Sequence, residues 1–393
     1  MTVQGRLELK STRERSVRRR HPWIMSGAVG RVSGDPLPGD TVTVTTADGE
    51  TLGHAAYSPA SSIRARMWSF DPDRSIDEAH MTERITAAIV RREGLVRDGD
   101  AVRLVFAEAD DLPGLVVDRY GDTVVMQCNT VGADRWRDTF ADALADLPGV
   151  SCVVERSDSD SRSREGLDDR SGVVRGRLPE RVWAVEGDRR YVVDVEHGHK
   201  TGFYVDQRDG RSLLASHCAG RRVLNVFGYT GAFSVVAAAN GAASITTIDS
   251  SGPALAVARL NGEANGVDIG ELVEADAFTE LRRLRDRRAQ FDVVLLDPPK
   301  LATGAAQVDK ATRAYKDINL LGAKLLAPGG LLFTWSCSGA VTAELFRKVV
   351  AGAAADAKRD LRVVARLGQP ADHPVPLSFP EAEYLKGLVL RAD

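Results

Sequence analysis

The chain has 393 residues, 43% of them hydrophobic and 27% charged, with a formal net charge of −3. This composition excludes wholesale disorder, and the length is ample for two or three domains. No run approaches the roughly 18 apolar residues of a membrane helix, so no membrane partner is expected. No apolar stretch follows the charged start, so no secretory signal is expected either. The four cysteines, Cys128, Cys152, Cys218 and Cys337, form no CxxC pair. A disulfide framework and a structural zinc site are therefore not expected, and a reducing cytoplasm fits this cysteine usage.

The charge is unevenly distributed. Residues 1–20 hold seven bases, including Arg18, Arg19 and Arg20, against two acids, a local balance of +5. The remaining 373 residues carry −8. A basic end on an acidic body suggests either a polyanionic partner or a solvated surface turn.

The first 70 residues read as a small β domain. Residues 41–45 (TVTVT) alternate with a period of two, and Ala47-Asp48-Gly49 then turns the chain into a returning strand at 51–55. Residues 63–68 (IRARMW) alternate again, with Arg64 and Arg66 expected on one face. An amphipathic helix is expected within 71–96, ended near Gly94. Strands at 102–106, 124–127 and 182–185 and a helix at 136–147 follow. The polar run 156–164 (RSDSDSRSR) reads most simply as a mobile loop.

From about residue 190 the pattern becomes strand, helix, strand, helix. Strands are expected at 223–227, 244–248, 272–274, 291–296 and 331–335. Helices are expected at 232–239, 254–265, 278–288 and 312–326. This alternation implies a parallel α/β sheet covered on both faces, with ligands outside the carboxyl ends of its strands.

The chemistry-bearing residues fall at those ends. The first strand runs into Asn225-Val-Phe227-Gly228-Tyr-Thr-Gly231, a turn that allows close backbone approach to a ligand. The second ends in Asp249, placed to bind the hydroxyls of a nucleoside ribose, as in many nucleotide sites. The third ends in Asp276-Ala277, where an acid could accept from an adenine amine. The fourth ends in Asp297-Pro298-Pro299-Lys300. Two prolines cannot continue a strand, so they fix its exit and aim the Asp297 carboxylate into the cleft. That arrangement suits a planar nitrogenous ring. The fifth strand ends in Ser336-Cys337-Ser338-Gly339, which leaves open a nucleophilic thiol or a small core residue. Upstream, Glu196, His197 and His199 have no third cluster to make a metal site. Lys200, Thr201 and Arg208 could hold a carboxylate.

The motifs HGHKTGFYVDQR, LNVFGYTGAF, DPPK, YKDINL, SCSG and ADHPV…YLKG, in this order, resemble the bacterial 23S ribosomal RNA large-subunit methyltransferase I family. The segments RRRHPWIMSGAV and AAYSPASSIRARMW resemble that family's PUA domain, a small RNA-binding β-barrel. The resemblance implies a Rossmann-like class I S-adenosylmethionine methyltransferase domain at 189–393. It implies a PUA-like domain at 1–72 and leaves a central α+β domain at 73–188. It implies 5-methylcytosine as product and large-subunit ribosomal RNA as partner; a homodimer stands as an option that the sequence does not decide.

By resemblance, Asn225, Phe227, Gly228 and Gly231 form the cofactor loop, Asp249 takes the ribose, and Asp276 and Ala277 lie by the adenine. Thr201, Tyr204, Asp206, Gln207 and Arg208 lie toward its methionine end. Cys337 aligns with the nucleophile and Asp297 with the base-contacting acid. Pro298, Pro299 and Lys300 flank the target base, and Arg18, Arg19, Arg20, Arg64 and Arg66 grip the RNA. One departure is Leu301, where a Phe is commoner. N-methylation of a base amine and a non-catalytic RNA-binding assembly role stand as alternatives.

Overall fold

In the C-terminal half, Phe291–Leu296 is a nearly continuous apolar run, and Val293, Val294, Leu295 and Leu296 are all fully buried. A strand of that kind needs cover on both faces, which only a layered α/β arrangement gives. The computed structural model, which describes residues 3–97 and 99–393, has that arrangement. The seven-stranded sheet has the order Glu271–Glu274, Ser244–Asp249, Arg222–Val226, Phe291–Leu296, Leu326–Ser336, Lys386–Ala392, Leu361–Leu367. The first five strands are parallel, Lys386–Ala392 runs antiparallel to them, and Leu361–Leu367 pairs antiparallel with it and so runs in the direction of the first five.

On one face, Leu224, Val226, Val294 and Leu296 pack with Leu281, Tyr315, Ile318 and Phe346 from the helices Ala277–Asp286, Val308–Leu325 and Ala343–Ala357. On the other, Val223, Leu295, Phe333 and Trp335 pack with Leu214, Phe233 and Val236. Burial of side chains of this size stabilises by about 1.5–3 kcal/mol each. The parallel register aligns Val226 with Ile248 and with Leu296, and Leu296 with Thr334. Asp249, Asp297 and Cys337 therefore leave the sheet along one edge.

The chain divides into two compact units. The sheet above belongs to the unit formed by Arg189–Val192, Asp206–Pro370 and Glu383–Asp393. The other comprises the chain up to Asp188 with Val193–Val205 and Ala371–Ala382. Residues 193–205 and 371–382, expected with the methyltransferase domain, thus pack in the first unit.

That first unit holds the two larger of the remaining sheets among the described residues. The six-stranded sheet has the order Trp23–Met25, Ile63–Ser69, Thr51–Tyr57, Thr41–Thr45, Gly5–Leu9, Val29–Ser33. Leu7, Leu9, Ile24, Val42, Val44, Ala65 and Met67 fill its core. The five-stranded sheet has the order Arg170–Gly176, Cys152–Ser157, Thr123–Cys128, Leu115–Tyr120, Val102–Phe106. It is backed by helices Glu78–Val90 and Arg137–Ala145 through Met81, Ile85, Phe140 and Leu144.

Two sequence expectations fail here. The run 156–164 is no mobile loop: strand Cys152–Ser157 leads into helix Asp160–Glu165. Arg156 donates to the Val195 carbonyl at 2.8 Å, and the fully buried Arg162 donates to Asp134 Oδ1 at 2.9 Å. The charges that look solvated in sequence are spent on tertiary partners. Arg66 is also no surface cation. It is 8% exposed and donates to Glu165 Oε1 at 2.9 Å, with Glu108 at 3.4 Å. A guanidinium neutralised and enclosed in this way has no face for an RNA phosphate.

Candidate active site

The site grows from the turn after Arg222–Val226. Phe227 and Tyr229 hold φ of 62° and 47°, left-handed values that cost non-glycine residues of order 1–3 kcal/mol each. Such strain persists only where surrounding contacts impose it. Gly228 between them admits no side chain, because a Cβ would meet Thr247 Cγ2 at 2.2 Å. Gly231 has φ +74°, and a Cβ there would meet Ala258 Cβ at 2.7 Å. Asn225, 1% exposed, donates to Ser234 Oγ at 2.9 Å, and Ser234 Oγ lies 2.7 Å from Thr247 Oγ1. This polar chain fixes the turn from beneath.

Asp249 holds the same turn from its neighbouring strand. Oδ2 accepts from Tyr229 N at 2.8 Å and Oδ1 from Ser251 N at 2.9 Å. Each carboxylate oxygen keeps acceptor capacity beyond one amide, which suits a ribose diol. Asp276 caps helix Ala277–Asp286, with Oδ1 accepting from Thr279 N at 2.9 Å and Thr279 Oγ1 at 2.8 Å. These bonds hold its carboxyl below the usual carboxylate range. Its side chain is exposed, and Ala277 behind it is buried.

The second half of the site surrounds the double proline. Gln207, 3% exposed, donates through Nε2 to Asp297 Oδ2 at 2.9 Å. Asp206 Oδ2 accepts from Tyr384 OH at 2.5 Å. The pair Asp206-Gln207 is thus tied to both sides of the cleft, and Arg208 opens helix Arg208–Ala215 directly after it. Pro298 is buried, while Pro299 and Lys300 are exposed. Cys337 is half-buried, with Sγ 4.0 Å from the Pro298 carbonyl oxygen. The other three cysteines are buried, and burial pushes the Cys218 thiol up to about 11.

A serine–tyrosine knot lies under Cys337. Tyr315 OH accepts from Ser336 Oγ at 2.9 Å and lies 3.0 Å from Ser338 Oγ, which accepts from Ala302 N at 3.0 Å. Lys386 Nζ donates to the Ser338 carbonyl at 2.8 Å. Sequence reasoning placed Ser336 and Ser338 beside the thiol but missed Tyr315 and Lys386 as its neighbours. Lys386 lies in the YLKG motif, but its strand is antiparallel and arrives from 49 residues downstream of Cys337.

Not every expected residue joins this cluster. Thr201 and Tyr204 belong to the other unit. Thr201 is 1% exposed, and its hydroxyl donates to Asp118 Oδ2 at 2.6 Å. Tyr204 carries the Lys200 ammonium 4.4 Å from its ring centroid. In the small β domain, Arg18 pairs with Glu50 in a two-point contact, and Arg19 is exposed. The Arg20 guanidinium lies over the Phe70 ring at 5.0 Å, and Arg64 donates to the Pro59 carbonyl. Among the described residues no group of three or more His, Cys, Asp or Glu could hold a metal ion, and no helix is long and apolar enough to cross a membrane.

A seven-stranded sheet with this strand order, a strained glycine turn and an acid ending the second strand defines an S-adenosylmethionine-dependent methyltransferase. The family model of that description matches residues 162–391, and a PUA-like domain matches residues 7–70. A ribosomal RNA large subunit methyltransferase I from Shewanella denitrificans is 48% identical over 393 residues, covering 98% of this chain and 99% of its own. A protein of the same name from Aeromonas hydrophila is 47% identical over 396 residues, covering 99% and 100%. The solved structure of SMU.776 complexed with SAH matches with a TM-score of 0.85 at 24% identity, over 99% of this chain and 100% of that one. The chain belongs to the ribosomal RNA large subunit methyltransferase I family, and its cofactor is S-adenosylmethionine.

Proposed function

We propose that this chain methylates C5 of a cytosine in large-subunit ribosomal RNA, with Cys337 as the nucleophile toward C6. The observation that carries the reading is the meeting of Cys337 with the Asp297-Pro298 exit, Sγ lying 4.0 Å from the Pro298 carbonyl oxygen. C5 of cytosine is a weak nucleophile, so the chemistry needs a way to push electrons onto it. A Cys337 thiolate forms a bond to C6, and the C5–C6 π electrons then reside on C5.

When bound, the cofactor would supply an electrophilic methyl group to the electron-rich C5, its sulfonium sulfur keeping the electron pair of the broken S–C bond. Asp297, held by Gln207, bonds the N3 and amine edge of the ring and steadies the adduct. A base removes the C5 proton, the freed electron pair restores the double bond, and the Cys337 thiolate leaves. N-methylation of an amine needs no thiol, so the half-exposed Cys337 favours the carbon reading.

The strained turn from Asn225 to Gly231, with Asp249, Asp276 and Ala277, binds the nucleoside part of the cofactor. Asp206, Gln207 and Arg208 bound its methionine end. The target cytosine reaches Cys337 only as an unpaired or flipped base. Arg18, Arg19, Arg20 and Arg64 of the PUA-like domain hold the RNA backbone, with Lys300 near the base.

The test maps 5-methylcytosine in ribosomal RNA at nucleotide resolution, with and without the gene, and restores it with wild type or Cys337→Ala. The expected result is one lost site, recovered by wild type alone. Recovery of methylation at a comparable rate by Cys337→Ala would overturn the adduct, and no lost 5-methylcytosine would overturn the product.

A further inference from the structure

Lys386 is a charged side chain only 7% exposed. A buried ammonium is costly without an anionic partner. Its nitrogen donates to the Ser338 carbonyl at 2.8 Å, and among the described residues no carboxylate pairs with it. The antiparallel register sets Lys386 opposite Ser336, the residue before Cys337. Burial holds the Lys386 ammonium below its ordinary value, while Cys337 and Glu383 act to raise it and Lys300 to lower it.

We infer that Lys386 is a positioning residue for Cys337: its ammonium holds the thiol toward the thiolate form, and its bond to Ser338 fixes the backbone that carries it. The inference rests on the reading of Cys337 as nucleophile, and it deepens that reading by naming what ionises the thiol. A thiolate beside a fixed cation forms at lower pH than a free one.

The surrounding groups act in both directions. Lys300, from the loop after Phe291–Leu296, adds positive charge, whereas Glu383 and the Asp297 carboxylate oppose it. From helix Val308–Leu325, Tyr315 is kept protonated, because burial pushes its phenol up. From the strand itself, Ser336 and Ser338 are neutral. Lys386 is the buried cation of the set, so its field is least screened by water.

The experiment follows alkylation of Cys337 by iodoacetamide as a function of pH in the full-length protein, read by mass spectrometry at the peptide carrying Cys337. Wild type should show a midpoint below the ordinary thiol value of about 8.5. Lys386→Met should raise that midpoint by about one pH unit, cutting alkylation near neutral pH roughly tenfold. Lys386→Arg, which keeps the charge, should hold the low midpoint. Cofactor affinity, measured by calorimetry on each variant, should stay within twofold of wild type.

A wild-type midpoint at or above the ordinary value overturns the inference without any variant. Equal midpoints in wild type and Lys386→Met also overturn it. The assay uses no RNA, so its failure is separate from failure of the proposed reaction. A methylation-competent Cys337→Ala alongside a shifted Lys386→Met midpoint would retain the electrostatic link and remove its role in catalysis.

Discussion

Gln207 Nε2 donates a 2.9 Å hydrogen bond to Asp297 Oδ2. The bond joins the segment before helix Arg208–Ala215 to the exit of Phe291–Leu296, and it fixes the plane of the acid proposed to meet the base. A hydrogen bond to a charged group is worth about 1.5–3 kcal/mol. Gln207→Leu should therefore lower kcat by roughly 10–150-fold at saturating cofactor and RNA. Steady-state methyl-transfer kinetics check this, and an unchanged kcat would separate Asp297 from the chemistry.

A covalent Cys337–C6 bond makes a trapping prediction. Fluorine at C5 cannot leave as a proton does, so RNA carrying 5-fluorocytidine should remain bonded to wild-type protein after methyl transfer. Denaturing gels should reveal the slower band with wild type and lose it with Cys337→Ala. No band with either protein would argue against the adduct.

Asp249 accepts two backbone amides, from Tyr229 and Ser251, at 2.8 and 2.9 Å. Asp249→Ala removes both acceptors and the proposed ribose ligand at once. Cofactor affinity by calorimetry should fall at least roughly tenfold, as expected for the loss of one charge-assisted bond.

Arg19 and Arg66 should behave oppositely. Arg66→Ala leaves Glu165, 5% exposed, without its guanidinium and should destabilise the fold by about 3–5 kcal/mol. Arg19→Ala should leave stability unchanged and weaken RNA binding. It should also reduce the slope of log K against log salt by roughly 0.7–0.9 if Arg19 meets one phosphate. Chemical denaturation and binding at several salt concentrations separate the two.

Asp276 gives a pH-dependent cap. Its carboxyl lies below the ordinary range in the folded chain because Thr279 donates to it. Its contribution is therefore complete above the unfolded value of about 3.9 and is lost as pH falls through the lower folded value. Asp276→Ala should cost about 1 kcal/mol at pH 7, with the gap to wild type closing in acid. Asp276→Asn, which still caps, should stay near wild-type stability at neutral pH.

Much of the methyltransferase half is legible in the amino-acid order. Expected strands at 244–248 and 291–296 and the helix at 232–239 match Ser244–Asp249, Phe291–Leu296 and Ala232–Ala239 to within a residue. They are local features: apolar runs, periodicity and glycine punctuation carry them. The edge that gathers Asp249, Asp297 and Cys337 follows from parallel topology alone.

What local pattern does not reveal depends on partners distant in sequence. Arg162 and Arg66 look like surface charges until Asp134 and Glu165 arrive to neutralise them. The strands Leu361–Leu367 and Lys386–Ala392 are not among the expected elements, and the lysine beside the thiol is hidden with them. Sequence by itself determined the class of chemistry, because strand ends and turn residues are written in order along the chain. Tertiary structure alone decided which charges are free and which are spent, and what surrounds Cys337, because burial and electrostatic pairing depend on distances that close only when the chain folds.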